Sequence, residues 1–360
     1  MSDFFEIDFL AVEAKKSGDA IALRYVVNGV QTVHVVDCGY EGTGKKMLDH
    51  ISEFYGAPKK IDHVVLSHSD GDHSRGLRTI LDSINVGALW MLRPWLYAEE
   101  LLPRFSRFTS ADNLRARLKE LYPNIAELEK IALARKIPIY EPFQGAVIGA
   151  FRVLAPTKVR YLDLIVQSDR TPEAVSEDHA ASLVKAVDGL LQKAAAFLKA
   201  LWGEEVFSPD ETSAENEMSV VQFAVLNGKK ILLTADAGRG ALTEAADYAP
   251  AAGLVLPGID RFQVPHHGAR RNVSTEILDR ILGPRLASPP AEGQGSFTAI
   301  VSSAKEDALH PRKAVTRAMK HRGGRVFATE GQSIRTSDNA PDRNGWNAAV
   351  EFPYSEEQEE

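Results

Sequence analysis

Ser67-His68-Ser69-Asp70-Gly71-Asp72-His73 decides the reading of this chain. Two imidazoles and two carboxylates fall within six residues. They follow a short apolar strand predicted over Ile61–Leu66 and precede a helix predicted over Arg75–Leu81. A loop in that place can aim several side chains into one space. Gly71 lets the backbone turn sharply between the two carboxylates. Imidazole suits Zn, Mn or Fe, and carboxylates add charge and hardness. Taken alone, the segment also reads as a solvated polar turn with an N-cap aspartate.

Three later segments favour the metal reading. Leu232-Leu233-Thr234-Ala235-Asp236 is an apolar strand ending in a lone carboxylate. Val264-Pro265-His266-His267-Gly268 puts two imidazoles after another apolar strand. Leu309-His310-Pro311 precedes an amphipathic helix predicted over Arg312–His321. Five of the ten histidines thus lie on loops, where a parallel-rich sheet presents its functional groups. His34, His63, His50, His179 and His321 sit inside strand or helix patterns and read as structural. Cys38 reads as a buried structural thiol.

Outward from these loops, strands are predicted over Phe5–Val12, Ala20–Val27, Gln31–Asp37 and Val86–Leu92, with a helix over Lys45–Tyr55. Ala111–Ala134 has helical character. Asn227-Gly228 signals a hairpin between Ser219–Leu226 and Lys230–Thr234. A strand is also expected over Leu254–Gln263. Residues 165–215 read as an insertion: polar loops around one amphipathic helix carrying Leu183, Val187, Leu190, Leu191, Ala194, Phe197, Leu198 and Leu201. A lid, a surface for a homo-oligomer or partner protein, and a helix packed on its own domain are all open for it. The acidic end, Ser355–Glu360, is expected to fray. One domain over 1–355, with insertions near 97–135 and 165–215 and a tail at 356–360, accounts for the chain.

Composition sets the outer limits. The chain has 360 residues, 44% hydrophobic and 25% charged, which excludes wholesale disorder and leaves room for a full core. One cysteine allows no intrachain disulfide and points to a reducing compartment. No stretch is apolar for long enough to span a membrane, and the N-terminus lacks the features of a signal peptide. The expected location is cytoplasmic.

In order and content these motifs resemble the metallo-β-lactamase superfamily, and more narrowly the hydrolase domain of ComEC-type competence proteins and their soluble relatives. The resemblance rests on Gly18-Asp19-Ala20-Ile21, Val36-Asp37-Cys38-Gly39, the His68–His73 loop, Ser219-Val220-Val221, Thr234-Ala235-Asp236, His266-His267-Gly268 and His310-Pro311. It implies an α/β fold, a four-layer αββα sandwich with metals at one edge between the sheets. It also implies a ligand set. His68, Asp70 and His266 fall to the first metal, Asp72, His73 and His310 to the second, and Asp236 bridges them. Asp37 supports the loop from behind. His267 is open as ligand or proton donor. The superfamily's usual H-x-H-x-D-H has Asp70 in place of its second histidine. The histidine usual before Ser219 is absent: Asn216, Glu217 and Met218 stand there.

Two divalent cations, Zn²⁺ or Mn²⁺, about 3.5–4 Å apart would lower the pKa of a shared water and stabilise charge on the attacked group. A metal-bridging hydroxide acting on a phosphodiester, in nucleic acid or a nucleotide, is the first functional expectation. Asp236, Asp72 and His267 are its catalytic candidates. An ester, lactone or thioester hydrolase and a non-catalytic metal-binding accessory subunit are the alternatives. The chain is acidic overall, with net charge -7, yet residues 260–345 hold 14 basic and 9 acidic side chains. Arg270, Arg271 and Lys305 are expected to hold phosphate, and the basic run from Arg312 to Arg325 reads as a solvated helix face.

Overall fold

The computed structural model describes residues 2–13, 15–171, 197–291 and 293–359. Its strands in chain order are β1 (Phe4–Phe9), β2 (Ala20–Val27), β3 (Val30–Cys38), β4 (Lys60–Val65), β5 (Asn85–Trp90), β6 (Ile139–Tyr140), β7 (Val147–Ile148), β8 (Phe151–Ala155), β9 (Phe197–Lys199), β10 (Val221–Leu226), β11 (Lys229–Leu233), β12 (Arg261–Gln263), β13 (Phe297–Val301), β14 (Gly324–Ala328), β15 (Ile334–Asp338) and β16 (Glu357–Glu359). One seven-stranded sheet has the order β15-β1-β2-β3-β4-β5-β6, the other β14-β13-β12-β11-β10-β8-β7. Ile7 and Phe9 of the first sheet meet Ile231, Leu233 and Ile300 of the second, so the inner faces share one apolar layer. Helices cover the outer faces. Thr43–Phe54, Leu77–Ser83 and Pro123–Ala134 lie on the first sheet. Arg239–Tyr248, Thr275–Leu282 and Lys313–His321 lie on the second. This is the expected αββα layering.

β3 to β6 run parallel, and so do β11 to β14. Each parallel block therefore delivers its strand ends to one edge of its sheet. The β10–β11 turn is the hairpin expected from Asn227-Gly228, with φ of 49° and 71°.

Several expectations are corrected. The helical stretch from Ala111 is two helices, Ala111–Leu121 and Pro123–Ala134, because Pro123 cannot supply the N–H that continuity needs and starts a new helix instead. Of Leu254–Gln263 only β12 is strand, and Pro257 and Gly258 interrupt what precedes it. Leu183, Val187, Leu190, Leu191 and Ala194 lie outside the described residues. Phe197 and Leu198, read with them as helix, form β9. The acidic tail does not fray: β16 pairs antiparallel with β9, and Glu359 accepts the Lys313 and Ala314 amides, capping the helix Lys313–His321.

That helix is also not the solvated basic face expected. Arg317 is fully buried and donates to the carbonyl of Leu201 (2.7 Å). Arg322 pairs with Glu205 and Asp279, both at 2.6 Å. Lys313, Lys320 and Arg325 pair with Glu357, Glu351 and Glu351. Much of the local positive charge is spent inside the fold. Among the described residues no helix is long and apolar enough to cross a membrane.

Candidate metal centre

Asp37 at the end of β3, the His68–His73 loop after β4, Asp236 after β11 and His266-His267 after β12 converge at one edge. Asp19 joins them, because β2 pairs antiparallel with β3 and its first residue sits opposite Cys38. The turns are tight. Asp37, Ala235, His266 and His267 all have positive φ, between 45° and 55°. Such conformations cost a non-glycine residue about 1–3 kcal/mol and persist where the surrounding fold over-determines them.

Asp236 is the centre. Its Oδ2 lies 3.7 Å from His68 Nε2 and 3.6 Å from His266 Nε2. Its Oδ1 lies 3.3 Å from His73 Nε2 and 4.0 Å from His267 Nε2. Asp70 Oδ2 stands 3.8 Å from His68 Nε2. Asp72 Oδ2 stands 3.5 Å from His267 Nε2 and 4.0 Å from His73 Nε2. One carboxylate thus faces two separate groups of donors.

Three of these imidazoles are held by the far nitrogen. His73 Nδ1 lies 2.8 Å from Asp37 Oδ2, and Asp37 also accepts the Ser67 amide (2.8 Å) and hydroxyl (2.5 Å). That hydroxyl, its proton given to Asp37, accepts from His68 Nδ1 at 3.0 Å. His266 Nδ1 lies 2.9 Å from Asn272 Oδ1. The Asn272 amide donates to the carbonyls of Asp236 and Ala237, which turns its oxygen to the ring. The Asn216 amide packs on the same nitrogen at 2.9 Å, where the resemblance left a histidine missing. At His68 and His73 an Nδ1–H committed in this way leaves Nε2 as a bare lone pair aimed inward.

Those inward atoms have no partners. His68 Nε2, His73 Nε2, both nitrogens of His267, Asp236 Oδ1 and Asp19 Oδ1 are buried without a hydrogen bond. Leaving one buried polar atom unsatisfied costs about 1–3 kcal/mol. Cations between the carboxylates and the imidazole lone pairs would satisfy the set together, so the residues present fit divalent metals. The electrostatics agree. Burial alone would lower the His73 pKa, but Asp236, Asp37 and Asp72 around it carry it well above the usual value. Burial likewise opposes the rise at His267, which the nearby Asp236 and Asp72 push up to about 9. Burial raises Asp236 and Asp72, and the imidazoles beside them hold both below the ordinary carboxylate range.

Other expected site residues are placed differently. His310 lies next to His266 and His267, with ring centres 5.8 Å and 6.1 Å away, and its Nδ1 pairs with Asp307 at 3.1 Å. His267 stands where His310 was expected, within the donor group Asp72, His73 and His267. Arg271 is exposed and pairs with Asp210. Lys305 packs beside Glu330 and Gly331. Cys38 is buried, and burial pushes its thiol pKa up, as a structural thiol requires.

Two residues at the site escaped the sequence reading. Arg170, taken for part of a polar loop, pairs with Asp70 and donates to Ser69 Oγ at 3.1 Å. Asp19, named in the motif Gly18-Asp19-Ala20-Ile21 without a role, groups with Asp236 and His267. Its adjacency to Gly18 in a motif shared with the resembled family was the signal available.

The metallo-beta-lactamase superfamily model matches residues 21–145, from β2 past β6 and including the His68–His73 loop. The match covers 125 of the 360 residues, so about a third of the chain is similar to that superfamily. Among solved structures, the metallo-beta-lactamase fold protein YhfI from Bacillus subtilis is 10% identical over 94% of this chain and 100% of its own, with a TM-score of 0.40. CmlA, a diiron beta-hydroxylase from Streptomyces venezuelae, is 14% identical over 93% of this chain and 54% of its own, with a TM-score of 0.40. AidC, a dizinc quorum-quenching lactonase, is 13% identical over 61% of this chain and 56% of its own, with a TM-score of 0.28. The chain spans about half the length of the last two. No curated protein matches it.

Proposed function

We propose that this protein is a dinuclear metal-dependent phosphodiesterase. The observation that carries the reading is the convergence of buried, unpartnered imidazole and carboxylate atoms on the two oxygens of Asp236. His68, Asp70 and His266 would hold one Zn²⁺ or Mn²⁺ with Asp236 Oδ2. Asp72, His73 and His267 would hold the other with Asp236 Oδ1. When bound, such a pair makes hydroxide available near neutrality and offsets charge on the attacked group. Asp37, Ser67 and Asn272 fix the ring orientations on which this depends.

The preference for a phosphodiester rests on charge at the rim and on the ordered motifs shared with ComEC-type hydrolase domains. Arg312 donates its amide to the Gly268 carbonyl (3.0 Å), directly behind His267. Burial lowers the Arg312 pKa, and Arg270 and Arg271 nearby lower it further against the pull of Glu359. Guanidiniums gathered beside the histidines suit an anionic substrate. Arg270, Arg271 and Lys305, with Arg312 beside them, are the groups proposed to hold phosphate, and Arg271 also pairs with Asp210.

The test is cleavage of bis-(p-nitrophenyl) phosphate beside an aryl ester, by protein stripped of metal and reloaded, with bound metal counted in the same samples. Metal-restored diester cleavage at about two metals per chain supports the reading. Ester cleavage alone moves the substrate to carboxylic esters, lactones or thioesters. Fewer than two metals in folded protein favours an accessory subunit. Arg270→Ala should raise KM for the diester roughly tenfold, the value of one charged hydrogen bond, and leave metal content alone. An unchanged KM removes the rim from the argument.

A further inference from the structure

We propose that Asp19 is itself a ligand of the cation position framed by Asp72, His73 and His267, an inference that rests on the two-metal reading above. Asp19 is 1% exposed. Its backbone is clamped onto the metal loop: its amide donates to the Asp72 carbonyl (3.2 Å), and its own carbonyl accepts the Gly39 amide (2.7 Å). The preceding residue has to be glycine, because a Cβ on Gly18 would come 2.7 Å from the Asp72 carbonyl oxygen. The start of β2 is thereby pressed against the loop that carries Asp70, Asp72 and His73.

The two oxygens of Asp19 have different surroundings. Oδ2 accepts from Gln263 Nε2 at 3.0 Å. Gln263 Oε1 in turn accepts the amides of Thr234 (2.9 Å) and Ala235 (3.0 Å), the turn that presents Asp236. One glutamine side chain therefore sets the orientation of both carboxylates. Oδ1 has no hydrogen-bond partner. One ligand atom each of Asp19, Asp236 and His267 lie within 4.8 Å of one another. Two buried carboxylates that close repel unless positive charge lies between them. A purely structural aspartate explains the contacts to Gln263 and Ser302 and leaves the close approach to Asp236 and His267 unexplained.

The two donor groups Asp72-His73-His267 and Asp19-Asp236-His267 share His267 and together hold three carboxylates and two imidazoles. Zinc sites are most often satisfied by four donors, while sets rich in hard oxygen suit Mn²⁺. The position is expected to favour Mn²⁺.

The experiment compares the full-length chain with Asp19→Asn and Asp19→Cys, each stripped and titrated with Co²⁺ and with Mn²⁺. Bound metal and absorption spectra are read together. The unmodified chain should bind two ions. Asp19→Asn keeps the Gln263 contact and should hold one ion normally and the other roughly tenfold or more weakly. Cobalt-loaded Asp19→Cys should gain a thiolate-to-cobalt charge-transfer band absent from the unmodified protein, which needs residue 19 in contact with the ion. Two ions bound normally by Asp19→Asn and no new band in Asp19→Cys would overturn the assignment while leaving the two-metal reading intact. A fall in metal-free stability with metal affinity unchanged would make Asp19 structural and also overturn it. An unmodified chain that binds no metal would bring down the parent reading, and this inference with it.

Discussion

Asp236→Asn is expected to empty both halves of the metal centre at once. Its two oxygens face different donors, His68 and His266 on one side, His73 and His267 on the other. Replacing one oxygen by an amide nitrogen removes negative charge and a lone pair from the point the two groups share. Metal content should fall from about two ions to less than one per chain, and diester hydrolysis by roughly 10³-fold or more, the scale of losing a main electrostatic element of an active site. His266→Ala is the informative contrast. It touches one side only and should cost one ion. Metal counting with a hydrolysis assay decides both. Two ions retained by Asp236→Asn would mean that Asp236 does not bridge.

The second large effect is on stability and lies away from the metals. Glu205 joins the segment before β10 to the helices Thr275–Leu282 and Lys313–His321. It accepts from Arg322 at 2.6 Å, from His321 Nδ1 at 3.0 Å and from Thr275 Oγ1 at 2.7 Å. The Glu205 and Arg322 side chains are both fully buried. Glu205→Ala leaves the guanidinium with Asp279 and two carbonyls, and leaves His321 Nδ1 without an acceptor. Breaking a buried pair costs about 3–5 kcal/mol; because Asp279 remains, the lower end, about 3 kcal/mol, is expected. A urea denaturation midpoint measures it, with metal content as the control that should not change. The pH dependence has a definite sign. Burial alone would raise the Glu205 pKa, but the hydrogen bonds from His321 and Arg322 pull it down to about 2. Its contribution is therefore complete above the unfolded value near 4.3 and is lost as pH falls through about 2. Between those limits the unmodified chain should lose stability faster than Glu205→Ala. Parallel curves would show that Glu205 does not supply this dependence.

Local patterns explain why so much of the centre was readable. His68, Asp70, Asp72, His73, Asp236 and His266 each follow an apolar run or sit in a motif, and a strand end followed by a polar residue is legible over a few residues. The hairpin at Asn227-Gly228 is legible for the same reason, since both positions demand positive φ. The basic helix Lys313–His321 was misread because its period shows only that it has two faces. What covers the face bearing Arg317 comes from residues near 201 and 355, more than thirty positions away on either side.

The layered α/β class and the strand-end loops that carry the candidate metal ligands are legible in the sequence, because spacing and turn chemistry act over short stretches of chain. Which histidine faces which carboxylate is set by the packing of the two sheets. His267 and not His310 meets Asp72, Arg170 meets Asp70, and Asp19 meets the turn of Asp236 through Gln263. These partners lie between 100 and 244 residues apart, or are separated by a fine difference in strand-end direction, as for His266 and His267. Two sheets closing on a shared apolar layer bring them together, and no periodicity within a segment records that closure.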